Sequence, residues 1–201
     1  LLQVFDAAGN LVVPPGVARD GFDGLNTDVP IAAAALDLFG GGKARQIVYA
    51  GASRLGFYWA DQKPREEAGG NVGGAMVAMS HFQPDPKLPP TLLAGTSMCG
   101  VMAVQPAPRR SDRWINASIR WHRSLDEKVT ALLAADTDGD GKGEAWAGTR
   151  GGGVVLFDLA AGETLGTAAT PGGAVTCLAS TAGALLAGRA DGTVLQVRRD
   201  R

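Results

Sequence analysis

Nine consecutive residues, Asp136-Thr137-Asp138-Gly139-Asp140-Gly141-Lys142-Gly143-Glu144, carry the most explicit chemistry in this chain. Carboxylates hold the first, third, fifth and ninth places, and glycine holds the sixth. That spacing gathers hard oxygen donors around one point, the arrangement a calcium ion takes. Two carboxylates about 4 Å apart repel by roughly 4 kcal/mol at an effective dielectric near 20, so four converging ones favour a cation between them. The alternative is a solvated acidic turn, its carboxylates splayed and Asp136 and Asp138 bonded to nearby backbone amides. An EF-hand is the disfavoured competitor. Gly141 suits its sixth position, but Ala147 stands where the closing glutamate must be, and no amphipathic helices flank the loop. The expected role is to stiffen a turn, since no catalytic partner accompanies the carboxylates.

A second candidate is basic and aromatic. Arg109, Arg110, Arg113, Arg120 and Arg123 stand against Asp112 alone, a local charge of +4, with Trp114, Trp121 and His122 interleaved. Arginine and tryptophan are favoured at binding hot spots, so Arg109, Arg110, Arg113, Trp114, Arg120, Trp121 and Arg123 form a candidate partner surface. The plainer reading is an outer strand with solvated arginines and tryptophan packed between structural units. His81 and His122 are the only histidines, and neither has metal-ligand spacing to a cysteine or another histidine. No nucleophile elbow, phosphate-cradling glycine loop or catalytic triad pattern occurs, so no enzyme is expected. Asn116-Ala117-Ser118 is a glycosylation triplet, meaningful only in a secretory compartment.

Composition narrows the class. The chain has 201 residues, 45% hydrophobic and 19% charged, which suits one ordered domain with a sizeable core. A net charge of -1 offers no electrostatic basis for nucleic-acid binding. No apolar run approaches the length of a membrane-spanning helix. Cys99 and Cys177 are too few for a disulfide framework and read as two buried free thiols, one bridge being the alternative. The chain opens on Leu1, which suggests a processed product or a fragment.

The elements that must position the acidic loop are strands. The 29 glycines and 11 prolines punctuate short apolar runs, the mark of an all-β protein. Four segments share an apolar strand, Ala-Gly, a polar turn, glycine and a second apolar strand. They are Ile47–Gly51 with Gly56–Trp59, Leu92–Gly95 with Gly100–Val104, Ala145–Gly148 with Gly153–Phe157, and Leu185–Gly188 with Gly192–Val197. Each reads as a β-hairpin whose glycines supply the positive φ of a tight connection. The first glycines, Gly51, Gly95, Gly148 and Gly188, recur at intervals of 44, 53 and 40 residues. Such a period suits the blades of a β-propeller. The longest interval implies an insertion around Arg109 to Ser124. An apolar run precedes each hairpin: Ile31 to Leu36, Ala75 to Met79, Val129 to Ala134 and Val175 to Leu178. Their small residues suit innermost strands, although the four alanines from Ala32 could also form a helix.

The expected architecture is therefore a single β-propeller domain over 1–201. A partial blade occupies 1–16, and blades follow at about 29–70, 74–124, 129–170 and 173–201. Leu2 to Leu11 resembles Leu156 to Leu165, so the chain starts in the outer half of a blade. It ends after a third strand. Either a ring of four to five blades closes on itself, or the blades belong to a larger or incomplete propeller that needs a partner chain to cover its exposed sheet faces. The second reading accounts better for the redundant strand at Leu2 to Phe5.

The loop resembles the calcium loop of FG-GAP and VCBS-type repeats of integrin-like propellers, on Asp136, Asp138, Asp140 and Glu144 followed by a strand and Gly148. The resemblance implies one structural Ca2+ between the first two strands of one blade. Asp136, Asp138 and Asp140 would give side-chain oxygens, Lys142 a backbone carbonyl, and Glu144 the closing carboxylate, where the family more often has aspartate. The earlier stretch Asp37-Leu38-Phe39-Gly40-Gly41-Gly42-Lys43 keeps the first aspartate but has Phe39 and Gly41 where ligands belong, so one site is expected. Asp20, Asp23, Asn26 and Asp28 lack the spacing and read as a plain loop. The implied function is a non-catalytic scaffold for protein interaction, with other protein subunits as partners. An extracellular carbohydrate- or surface-binding protein is the alternative, and an enzyme built on a propeller is the least favoured reading. The resemblance leans towards an extracellular or secretory setting. The run Asp136 to Gly148, with Gly153-Val154 and Gly162-Glu163, looks equally like the propellers of Bardet–Biedl-type ciliary coat subunits inside cells.

Overall fold

A computed structural model describes residues 32–38, 46–50, 55–59, 67–68, 75–108, 115–169, 172–181 and 184–197. The described residues form strands, turns and bends and no helix. The strands make four antiparallel sheets, each a meander in chain order. The first holds β1 (Ala32–Leu36), β2 (Gln46–Ala50), β3 (Leu55–Trp59) and β4 (Glu67–Ala68). The second holds β5 (Met76–Phe82), β6 (Thr91–Thr96), β7 (Gly100–Pro108) and β8 (Ile115–Ser124). The third holds β9 (Val129–Ala135), β10 (Glu144–Thr149), β11 (Gly153–Asp158) and β12 (Thr164–Ala169). The fourth holds β13 (Val175–Thr181), β14 (Ala184–Arg189) and β15 (Val194–Val197). The expected partial blade at 1–16 and the Asp20 to Asp28 group lie outside the described residues.

The alanine run Ala32–Leu36 is a strand, because its partner β2 supplies a ladder and its alternate residues pack on the second sheet. Tertiary pairing outweighs alanine's helical preference here. The interval expected to hold an insertion is largely strand. Ile115–Ser124, ten residues long, is the outer strand of the second sheet, paired with the nine-residue β7.

The sheets stack face to face in chain order, with an apolar layer between each pair. Leu36, Val48 and Ala50 meet Met76, Leu92 and Ala94 between the first and second sheets. Leu93, Val101 and Trp121 meet Ala134, Ala145 and Phe157 between the second and third. Trp146, Val154 and Leu156 meet Val175, Leu185 and Ala187 between the third and fourth. The second and third sheets are thus covered on both faces, which is why β6 and β10 are buried along nearly their whole length. Each fully buried large side chain contributes about 1.5–3 kcal/mol to this stack. First strands of successive sheets lie side by side: β1 with β5, β5 with β9, and β9 with β13. Ser80 Oγ accepts from Ala134 N at 2.9 Å, and Thr130 Oγ1 donates to Val175 O, tying those strands together.

The repeated glycines serve a purpose other than the expected one. Of the paired motif glycines among the described residues, only Gly192 has positive φ. Gly95 and Gly148 lie within strands, where the next sheet presses on them. A Cβ on Gly95 would sit 2.8 Å from Val129 Cγ1, and one on Gly148 would sit 2.5 Å from Val175 Cγ1. The first residues of the third and fourth sheets, Val129 and Val175, drop into the gaps left by these missing side chains. In the first sheet the pattern is displaced by one residue. Leu36 pairs with Gln46 as Ala135 pairs with Glu144, so Ala50, and not Gly51, matches Gly148.

Candidate metal centre

The acidic loop joins β9 to β10, and its last carboxylate opens β10. Glu144 pairs with Ala135 across the sheet and is only 4% exposed. A buried glutamate needs partners, and Thr137 supplies two. Thr137 N and Oγ1 donate to Glu144 Oε2 at 2.7 and 2.6 Å. Thr137 is itself buried. This bond closes the loop across its base.

The other carboxylates fold the loop around themselves. Asp136 Oδ1 accepts from Gly139 N at 2.7 Å, and its Oδ2 accepts from Gly141 N at 2.9 Å. Asp138 Oδ1 accepts from Asp140 N, and Asp140 Oδ1 accepts from Lys142 N at 2.7 Å. Gly139 and Gly141 take φ of 81° and 84°, a conformation that side chains disfavour. Gly143 anchors the loop to the body. Its carbonyl accepts from Leu159 N, and a Cβ there would strike Phe82 of the second sheet and Leu159.

This folding brings one ligand oxygen from each of Asp136, Asp138, Asp140 and Glu144 within 4.8 Å of the others. Donors on opposite sides of a calcium ion at about 2.3–2.6 Å stand about 4.6–5.2 Å apart, so the cluster has the right width for one hard cation. All four donors are oxygens, which suits calcium or magnesium over softer metals. Asp138 and Asp140 are exposed, Asp136 is half-buried and Glu144 is buried, leaving the cluster open to water on one side. Lys142 holds its Nζ 3.9 Å from Asp140 Oδ2 on a side chain that is 79% exposed. Its amide serves Asp140.

Sequence reasoning gathered the four carboxylates but missed Thr137, the buried partner of Glu144. Its place between two acids disguised it. Of the degenerate copy, Asp37 and Leu38 are described. Leu38 is fully buried, and Asp37 O accepts from Gln83 Nε2.

Of the candidate partner surface, Arg109, Arg110, Arg113 and Trp114 lie outside the described residues. Arg120 is exposed. Trp121 and Arg123 are engaged within the fold. Trp121 is buried with its ring 5.7 Å from Phe157, and its Nε1 donates to Leu159 O at 2.8 Å. Arg123 Nε donates to Gly162 O at 2.8 Å. Both grip the third sheet's β11–β12 turn. The cysteines are free, as expected, but neither is buried: Cys99 is half-buried and Cys177 exposed. Cys99 sits in the β6–β7 turn at φ 62°, and Cys177 lies in β13 with its Sγ over Gly188 of β14.

Two titrating groups elsewhere are perturbed. Partial desolvation lowers His81 below the ordinary histidine value. Hydrogen bonds from the Thr193 side chain and amide hold Asp191 below the usual carboxylate range, in the β14–β15 turn.

No protein-family model and no curated protein matches the sequence. Solved structures do match in shape. The computationally designed Ika4 protein superposes with a TM-score of 0.59 at 13% identity, over 78% of this chain and 86% of that one. BBS1N, crystallised in complex with ARL6DN, superposes at 0.57 and 15% identity, over 75% of this chain and 41% of that one. A chain of a humanized mutant of the Chaetomium thermophilum Polycomb Repressive Complex 2 superposes at 0.50 and 14% identity, over 59% of this chain and 27% of that one. This chain thus spans under half the length of the second and about a quarter of the third. At such identities the likeness concerns the fold alone.

Proposed function

We propose that this chain is a non-catalytic β-propeller scaffold for protein–protein interaction, braced by one structural calcium ion and built into a larger assembly. The observation that carries the proposal is the convergence of four carboxylate oxygens within 4.8 Å at the junction of β9 and β10. In this reading the four sheets are blades and their first strands surround an axis. The stacking of sheets in chain order and the neighbouring first strands support it. The ion sits between the first two strands of the third blade, with the Lys142 carbonyl completing the ligand set. Its effect is to cancel the repulsion of the carboxylates and fix the loop.

The test is thermal. An ion bound at a hundred times its dissociation constant stabilises by about 2.7 kcal/mol, which for a domain of this size is several degrees of melting temperature. Chelation is expected to lower the melting temperature of the wild-type chain, and Asp138→Ala to abolish the response to calcium. A wild-type melt that ignores both calcium and chelator would leave the loop as a hydrogen-bonded turn.

A further inference from the structure

At the end of the strands opposite the acidic loop, the last three sheets share one turn, and the fourth sheet departs from it in charge. The pairs Met76 with Thr96, Val129 with Thr149 and Val175 with Arg189 stand at matching places. The amide after each second partner donates to the carbonyl before each first one: Ser97 to Ala75, Arg150 to Lys128, and Ala190 to Ala174. Thr96 and Thr149 each use Oγ1 to accept the amide that opens the next strand, Gly100 N at 3.1 Å and Gly153 N at 2.9 Å. In the third sheet a carboxylate from the preceding loop completes the turn. Thr149 Oγ1 and Gly151 N donate to Glu127 Oε2 at 2.8 and 2.7 Å, two residues before Val129. In the fourth sheet that loop position is Gly173, which offers no side chain, and a Cβ on it would meet nothing within 4 Å. The hydroxyl is replaced by Arg189, whose side chain is only 5% exposed. Asp191 closes this turn instead, accepting from Thr193 N and Oγ1.

We infer that Arg189 is the binding group for an external carboxylate. Among the described residues nothing accepts a hydrogen bond from its Nε or Nη2, and both atoms are buried. These two nitrogens share one edge of the planar guanidinium, the edge whose parallel N–H bonds a carboxylate meets with both oxygens. Asp191 does not fill it. Its Oδ2 stays 3.5 Å from Nη2 on a side chain that is 41% exposed, and its Oδ1 is held by Thr193. A buried guanidinium with an unsatisfied edge is unfavourable, and an arriving carboxylate relieves that penalty. The cover is thin. Gly172 lies against Nη2, so close that a Cβ there would overlap the guanidinium, and Gly172 and Gly173 are both exposed. Their φ of 119° and 106° suit glycine alone, and glycine changes φ freely, so this pair can turn aside to admit a ligand. The third sheet shows the turn satisfied by an acid of its own; the fourth carries the base and lacks that acid. The inference stands on the fourth sheet and rests on neither the calcium ion nor the propeller reading.

The experiment is NMR of the isotope-labelled full chain, following the Arg189 Nε–H signal. Through-bond correlation to its own backbone assigns that signal. Arg189→Thr, which copies the second and third sheets, should delete it while the chain stays folded. The probes are sodium acetate and a blocked Ala-Glu-Ala peptide, each compared with sodium chloride at equal ionic strength. A carboxylate probe is expected to move the signal along a saturating curve, with chloride leaving it in place. The same probe should raise the melting temperature of the wild type above its value in chloride, and Arg189→Thr should lose that rise. A peptide that saturates below acetate assigns the carboxylate to an acidic side chain of a partner; acetate acting alone assigns it to a small free acid. Either supports the inference. A signal that neither probe moves overturns it and leaves Arg189 to Asp191 and water. A signal that chloride moves equally overturns it too, since the edge then has no preference for a carboxylate. If Arg189→Thr fails to fold, the wild-type titration decides alone.

Discussion

Glu144 and Thr137 show how much of the acidic loop depends on one buried bond. The carboxylate is taken out of water at the start of a strand and held by an amide and a hydroxyl of the same residue. Thr137→Val keeps the shape and removes the hydroxyl. The expected loss is about 1–3 kcal/mol, read by urea unfolding, with a weaker response to calcium. Thr137→Ser, which keeps the hydroxyl, is expected to restore most of that response. His81 gives a pH signature distant from the loop. Its folded value lies below 6.5 because the protein partly desolvates the ring. The folded state therefore binds that proton less readily than the unfolded chain. Stability is fully present above 6.5 and falls as pH drops from there through the folded value. His81 is exposed, so denaturant midpoints between pH 7.5 and 5 should show only a small decline, which His81→Gln should remove.

At the scale of elements, Gly95 and Gly148 let the next sheet pack close. Gly148→Ala puts a methyl against Val175 and is expected to cost about 1–3 kcal/mol. Val175→Ala opens that space, so the double variant should be less unstable than the sum of the single losses, as a double-mutant cycle would measure. Gly143→Ala is expected to act differently, forcing the loop away from Phe82 and weakening calcium binding as well as stability. Much of this layer was legible beforehand. Short apolar runs and recurring Ala-Gly steps located the hairpins of the described sheets and the strand that precedes each. The reason for the glycines was not legible, because close approach depends on a residue in the next sheet. Nor was the one-residue displacement in the first sheet, where Ala50 takes the role that the motif gave to Gly51. Ala and Gly both leave room for a neighbour, and only pairing tells them apart. Trp121 carried two readings at once, and its burial against Phe157 assigns it to the contact between sheets.

For the described residues, the acidic loop is a local brace in a stack that buries both faces of its middle sheets and leaves Ala33 and Ala35 at one end and Cys177 and Val194 at the other exposed. The four carboxylates were readable because their spacing is confined to nine residues. The end faces were not, since exposure belongs to the assembled stack. The scaffold reading makes the cation structural, so its removal should soften the third sheet without dissolving the second. Hydrogen exchange with and without chelator should show faster exchange concentrated in β9 and β10. The most direct test of the central claim is calorimetric titration of calcium into the chelator-treated chain. The account predicts one ion per chain, with binding lost in Asp138→Ala; titrations in which wild type and variant both take up none, or take up equal amounts, would contradict it.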